Sequence, residues 1–143
     1  MADNTYDLYD SAGAAIRGVS QTATFSTEAI DVSGYDRFGL ILSYSSVTGT
    51  VDVTVQTSLD AGATWLAFYP ADENTETAAS MTQVSATGVT AKYWDRALAA
   101  SRSGRSPGGE GLRRKVHPMI KFVFTIVTGP ITLAEINFMG LKY

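Results

Sequence analysis

A strict alternation of apolar and polar residues constrains the fold of this chain more than any other feature. In VDVTVQ, residues 51–56, every second residue is valine and the residues between are polar. A period of two is typical of a β-strand with one buried face and one solvated face. The run RFGLILSYS, residues 37–45, alternates in the same way, and its large side chains share one face: Phe38, Leu40, Leu42 and Tyr44. The intervening SVTGT, with Gly49, predicts a hairpin connection.

The last quarter of the chain is its most apolar part and predicts two long strands around TGP, residues 128–130. The first of them has large apolar residues at every second position: Ile120, Phe122, Phe124 and Ile126. In the second strand the apolar phase changes between Leu133 and Ile136, which predicts a bulge near Ala134 and Glu135. Both strands are apolar on both faces. We therefore expect them to be central in a sheet or covered by another subunit.

The number of short β-prone runs between turns predicts an all-β fold, namely an antiparallel β-sandwich that is jelly-roll-like. A length of 143 residues suits one domain with a sizeable core. Residues 1–20 are small, polar and acidic, and they predict an extended N-terminal arm that is loose or lies along a neighbour. Residues 21–143 form the predicted sandwich domain. Within it, residues 101–115 predict a long, exposed, basic, glycine-rich loop.

Several functional classes are disfavoured by composition. The chain has no cysteine, which removes disulfides, thiol catalysis and thiolate metal sites. We expect no membrane partner, since no apolar stretch approaches the length of a spanning helix. The start, MADNTYDLYD, is acidic and predicts no secretory signal. These features fit assembly in a reducing cytoplasm.

An active site is not indicated by the sequence. His117 is the single histidine, which rules out a two-histidine metal site. The chain also lacks a P-loop, a G-x-G-x-x-G motif and a D-x-D-x-D-G calcium loop. No pair among the carboxylates is singled out for acid and base roles. We therefore interpret the protein as non-enzymatic, with no cofactor and no metal.

Residues 58–65, SLDAGATW, match S-x-D-x-G-x-T-W, the Asp box of sialidases and related β-propellers. A propeller needs several blades, and the motif recurs from blade to blade. This chain has one copy and is too short for a propeller. The motif therefore predicts a structural turn, in which Gly62 permits the bend, Asp60 accepts amide hydrogen bonds and Trp65 covers the hairpin. The predicted turn residues are Ser58, Asp60, Gly62, Thr64 and Trp65.

Charge is distributed unevenly along the chain. Residues 92–121 contain eight Lys and Arg residues and two Asp and Glu residues, which gives a net charge of +6. The whole chain has a net charge of −3, so the remaining residues together carry −9. Three interpretations of the basic loop remain open: a solvated loop, docking onto an acidic surface of a protein or an identical neighbour, and nucleic-acid binding. Nucleic acid is disfavoured, because aromatic residues do not interleave with the arginines and the pI is about 5.0.

The organisation of the chain resembles that of small tailed-bacteriophage virion proteins, above all head decoration or cement proteins. The similarity lies in a cysteine-free β-sandwich of this size with an N-terminal arm, a single Asp-box hairpin and apolar final strands that end in GLKY. It implies a jelly-roll-like fold, a homotrimer, and attachment to the outer capsid surface where major-capsid subunits meet. It also implies assembly in the host cytoplasm and a final location in the virion.

We expect two elements to contact partners, namely the major capsid protein and further copies of the chain. The first is the arm around Ala14, Ile16 and Val19, and the second is the basic loop with Arg102, Arg105, Arg113, Arg114 and Lys115. One alternative is a carbohydrate- or receptor-binding virion module, whose aromatic platform would comprise Trp65, Phe68, Tyr69, Tyr93 and Trp94. Buried indoles at Trp65 and Trp94 would argue against it. A further alternative is a tail or head-completion protein.

Overall fold

The computed structural model describes residues 2–58, 60–68, 79–95 and 119–142, and β-strands are the only regular secondary structure in these ranges. In chain order the strands are β1 (Ala2–Asp7), β2 (Ser20–Gln21), β3 (Phe25–Ser26), β4 (Ile30–Asp31), β5 (Arg37–Val47), β6 (Val51–Ser58), β7 (Leu66–Ala67), β8 (Gly88–Asp95), β9 (Met119–Ile126) and β10 (Ile131–Lys142).

The strands form two antiparallel sheets that enclose one core. Sheet 1 has the order β1-β10-β5-β8, and β2 also pairs with β10. Sheet 2 has the order β3-β9-β6-β7, and β4 also pairs with β9. The predicted all-β antiparallel sandwich is therefore confirmed. The long apolar strands β9 and β10 are central in their sheets, as expected from their two apolar faces.

Aromatic rings from both sheets meet at the centre of the core. The Phe38 ring lies 5.6 Å from Trp94 and 6.4 Å from Phe138, both in sheet 1. Across the core it lies 6.3 Å from Phe122 of β9 and 5.4 Å from Phe68, which follows β7. Burying each such side chain contributes about 1.5–3 kcal/mol. Tyr44 is buried in the same layer, and desolvation raises the pKa of its hydroxyl.

The alternating faces predicted from the sequence are confirmed. In β5 and β6 the predicted inner residues are buried, including Tyr44 and all three valines. In β10 the register with β5 shifts between Thr132 and Leu133 and again between Leu133 and Glu135. The bulge therefore lies where the apolar phase changes, and it keeps Leu133 and Ile136 both in the core.

The predicted hairpin at SVTGT is wrong, because β5 belongs to sheet 1 and β6 to sheet 2. Residues 48–50 instead cross from one sheet to the other. Gly49 has φ 84°, and a Cβ at this position would overlap the side chain and carbonyl of Thr128. Glycine is therefore required at this crossing, although for close packing between two connections rather than for a hairpin turn.

The N-terminal segment was predicted to be an extended arm that is loose or lies along a neighbour, and over the described residues it is extended but not loose. β1 pairs with β10 from Ala2↔Lys142 to Asp7↔Asn137. The side chains of Leu8 and Ile16 are buried in the core. Backbone hydrogen bonds along β10, together with these two anchors, integrate the segment into the edge of sheet 1.

Candidate functional site

The Asp-box residues form a tight hydrogen-bonded turn between β6 and β7. The Ser58 hydroxyl donates to Oδ1 of Asp60 at 2.9 Å and accepts from the Gly62 N–H at 2.8 Å. The same Asp60 oxygen accepts from the Thr64 N–H at 2.7 Å. β6 and β7 pair across the turn, with Thr57 opposite Leu66, so the predicted turn is confirmed. Leu59 lies outside the described residues.

Hydrogen bonding lowers the pKa of Asp60. The largest contribution comes from the Thr64 N–H, followed by the Thr64 side chain, and the Ser58 hydroxyl adds a smaller one. A carboxylate that is held ionised by several donors is a poor proton donor near neutral pH. The geometry of Asp60 therefore supports a structural role in the turn.

Backbone conformation explains why the box has its glycine. Ala61 has φ 58° and Gly62 has φ 96°, so the chain passes through two successive left-handed positions. The Trp65 ring packs beside Gly62, where a Cβ would lie 3.6 Å from Cζ2 of the indole. Lys121 Nζ of β9 lies 4.6 Å from the centre of the same ring, which forms a cation–π contact. Trp65 thus ties the turn to the outer face of sheet 2.

The aromatic residues proposed as a sugar platform do not lie on one surface. Trp94 is 2% exposed and Phe68 is 1% exposed, and both belong to the core. Tyr93 lies over Gly39 on sheet 1, whereas Trp65 lies on sheet 2. Tyr69 is outside the described residues. The platform as predicted from the sequence is therefore not assembled.

The three arm residues expected to contact partners have different environments. Ala14 is exposed, and Val19 is 41% exposed. Ile16 is fully buried, so the expectation that it contacts a partner is wrong: it anchors its own segment to the core. The next residue, Arg17, pairs with Asp7 at 3.1 Å and with Glu135 at 3.4 Å. Arg17, Asp7 and Leu8 line part of a cavity of about 160 Å³.

The predicted basic loop lies outside the described residues, and so does His117. Its residues Arg102, Arg105, Arg113, Arg114 and Lys115 therefore keep the role predicted from the sequence as an expectation. The strands on either side of residues 96–118 are described. β8 ends at Asp95 in sheet 1, and β9 begins at Met119 in sheet 2.

An apolar band lies on the outer face of sheet 1, and it was not predicted from the sequence. Its residues alternate with the core residues of β5, β8 and β10, and they are Ile41, Val89, Ala91, Tyr93 and Met139. Val89 is 74% exposed. The Tyr93 hydroxyl donates to Sδ of Met139 at 3.6 Å, so the ring lies flat across β5. The sequence did contain a signal for this band, because these strands have apolar residues at positions where the alternation predicts polar ones.

Chemistry-bearing clusters are sparse in the part of the chain with described positions. No group of three or more His, Asp or Glu residues that could hold a metal ion occurs there. Within the same ranges, no helix is long and apolar enough to cross a membrane.

Comparison with known proteins adds no relative. No protein-family model matches the chain, and a search of curated proteins finds no significant match.

Proposed function

We propose that the protein is a non-enzymatic structural protein of a tailed-phage virion, a head decoration or cement protein. It binds the outer capsid surface and stabilises contacts between neighbouring major-capsid subunits. It acts as a homotrimer and is assembled in the host cytoplasm. The proposal rests on the resemblance in organisation together with the order of strands in the sandwich.

The strand order is the observation that carries the proposal. The first strand pairs with the last, β1 with β10, and the next strands inward pair likewise, β3 and β4 with β9. Then β5 pairs with β8, and the innermost strands β6 and β7 pair with each other. A chain folded as one long ribbon and wrapped into two sheets gives this order. We interpret it as a jelly roll, an architecture used by viral capsid proteins and lectins.

Charge supports attachment to a protein surface. The sequence from 92 to 121 carries a net +6 on a chain whose total is −3. Arginine pairs bidentately with carboxylates, so the basic loop is suited to an acidic capsid surface. Exposed Ala14 and Val19 extend the contact. Each contact is weak, and several copies on a repetitive shell multiply them.

The carbohydrate-binding alternative is weakened by the burial of Trp94 and Phe68. What remains of its platform is Trp65 on sheet 2 and Tyr93 on sheet 1, and one ligand cannot stack on both. The capsid proposal is therefore preferred. A tail or head-completion role is distinguished from it by where the protein binds.

Co-sedimentation with expanded phage shells tests the proposal. The wild type is expected to pellet with shells, and the Arg113→Glu/Arg114→Glu/Lys115→Glu variant to pellet at least about tenfold less while its thermal melt is nearly unchanged. Thr54→Glu/Gln56→Glu, which adds acid to the outer face of sheet 2, is the control and should still bind. A wild type that stays in the supernatant, or binds tails instead, contradicts the proposal.

A further inference from the structure

Sheet 1 ends in two open edges. Its order is β1-β10-β5-β8, and no described residue pairs with the outer side of β8 or of β1. An edge strand presents unpaired N–H and C=O groups, which are a template for another extended chain. The opposite situation holds on sheet 2, where residues 79–84 cover part of the β6 edge beyond β7.

The hydrogen-bond phase identifies the groups that point outward. The Leu8 N–H donates to the Ile136 carbonyl, so even-numbered residues of β1 face β10 and odd-numbered ones, such as Thr5, face away. The odd-numbered residues of β10 therefore bond to odd-numbered residues of β5, which leaves the even-numbered residues of β5 to bond to β8. These pair with the even-numbered residues of β8, whose backbone groups thus point towards β5. The N–H and C=O groups of Val89, Ala91 and Tyr93 therefore point out of the sheet edge.

β8 lacks the features that usually protect an edge. Its register with β5 runs without a shift from Arg37↔Asp95 to Tyr44↔Gly88, so no bulge interrupts it, and it contains no proline. Its one cation, Lys92, donates to the Ser80 carbonyl at 3.1 Å and is thereby directed towards sheet 2. Val89 is 74% exposed beside the open edge.

Direction and charge make the two edges complementary to each other. Each neighbouring pair in sheet 1 is antiparallel, so β1 and β8 run in opposite directions. A second copy rotated about an axis along the strands thus brings its β1 antiparallel to β8. Residues 2–16 contain three Asp and no Lys or Arg, whereas β8 is neutral, with Lys92 and Asp95. Pairing β1 with β8 therefore avoids the repulsion between acidic segments that pairing β1 with a second β1 would bring.

We infer that β8 of one copy pairs with β1 of the next, which continues sheet 1 from subunit to subunit in a closed head-to-tail ring. The inference takes self-association as a homotrimer from the proposed function and specifies the surface that achieves it. Such an interface is heterologous, and a rotation of one third of a turn closes it after three copies.

A pair of proline variants in β8 tests the interface. Proline is tolerated at an edge where the lost N–H points outward, but it breaks a ladder bond where the N–H points inward. Ala91→Pro is therefore expected to keep the melting temperature that the wild type has at concentrations where it is monomeric. It should raise the dissociation constant of assembly at least about tenfold, measured by native mass spectrometry and light scattering. Thr90→Pro is the matched control, because the N–H of Thr90 points inward to β5, and this variant should lower the melting temperature. Val89→Lys adds an exposed charge at the same edge and should also dissociate the ring.

Mixing experiments separate this arrangement from a symmetric one. Thr5→Pro blocks the β1 edge and leaves β8 intact, whereas Ala91→Pro does the reverse. Each variant alone is expected to be monomeric, and an equimolar mixture should form heterodimers through the one remaining good interface. Asn4→Pro, whose N–H faces β10, is the matched control for folding. A Thr5→Pro variant that dimerises on its own would show β8 pairing with β8 and overturn the inference.

The outcomes distinguish this inference from the function on which it rests. A monomeric wild type, or Ala91→Pro and Thr5→Pro variants that remain trimeric, overturn the strand pairing even if shells are bound. A wild type that forms rings sensitive to both variants but ignores shells supports the strand pairing and counts against the capsid role.

Discussion

The two sheets share one core but turn different faces to their surroundings. On sheet 2 the outer positions of β6 and β9 are mainly polar: Asp52, Thr54, Gln56, Lys121 and Thr125. On sheet 1 the outer positions of the three long strands carry the apolar band, with Val89 largely exposed. Sheet 2 also has a covered edge, whereas no described residue pairs with the outer side of either edge strand of sheet 1. The difference supports the proposal that sheet 1, rather than sheet 2, makes the contacts between copies.

The largest predicted effect on stability is a difference between substitutions on the core face and on the outer face of sheet 1. Phe38 is fully buried among four aromatic rings, so Phe38→Ala should lower the free energy of unfolding by about 3–5 kcal/mol. Ile41→Ala, three residues along the same strand but on the outer face, should cost less than about 1 kcal/mol in the monomer. Urea unfolding at low protein concentration measures both. Equal losses would mean that the apolar band is covered within one chain.

A medium effect is expected where the band packs most closely. A Cβ at Gly39 would overlap the Tyr93 ring and approach the Lys92 carbonyl. Gly39→Val should therefore cost about 1–3 kcal/mol, because a rigid ring and backbone must shift. Thr54→Val at an outer position of sheet 2 is the matched change and should be nearly neutral. If both variants unfold at the same urea concentration, the two outer faces are not packed differently.

The sequence was sufficient for features that depend on side-chain alternation. The inner faces of β5, β6 and β9 follow from the period of two, and the phase change between Leu133 and Ile136 locates the bulge. The sequence was not sufficient for features that depend on which strands pair through their backbones. Turn chemistry at Gly49 is compatible with a return to the same sheet or a crossing to the other, and only the packing against Thr128 requires the crossing.

The candidate site shows the same division. The Asp-box turn was predicted because its side chains accept hydrogen bonds from nearby amides, as Ser58 does from Gly62 and Asp60 from Thr64. The pairing of β1 with β10 was not predicted, because main-chain hydrogen bonds leave no apolar pattern in residues 2–7. The burial of Ile16 was not predicted either. The outer band was overlooked because Ile41 was placed on the face opposite the core but was not connected with apolar residues such as Met139 on neighbouring strands, since the sequence does not show which strands pair.

The smallest predicted effect lies on the turn at the margin of sheet 2. The pKa of Asp60 is lowered in the folded protein, so its ionised form stabilises the fold above the unfolded-state pKa of about 4. That stability is lost as the pH falls through the lowered pKa. Asp60→Asn should therefore melt below the wild type at pH 7, and the difference in melting temperature should narrow as the pH falls below about 4. A gap that stays constant with pH would show that charge on Asp60 does not contribute.

Electron cryomicroscopy of expanded phage shells incubated with the protein tests the central claim most directly. The account predicts added density on the outer surface, at the junctions of neighbouring major-capsid subunits, that fits three copies joined through β8 and β1 of sheet 1. Bare shells at saturating protein would contradict the capsid role, and density that fits isolated single copies would contradict the ring.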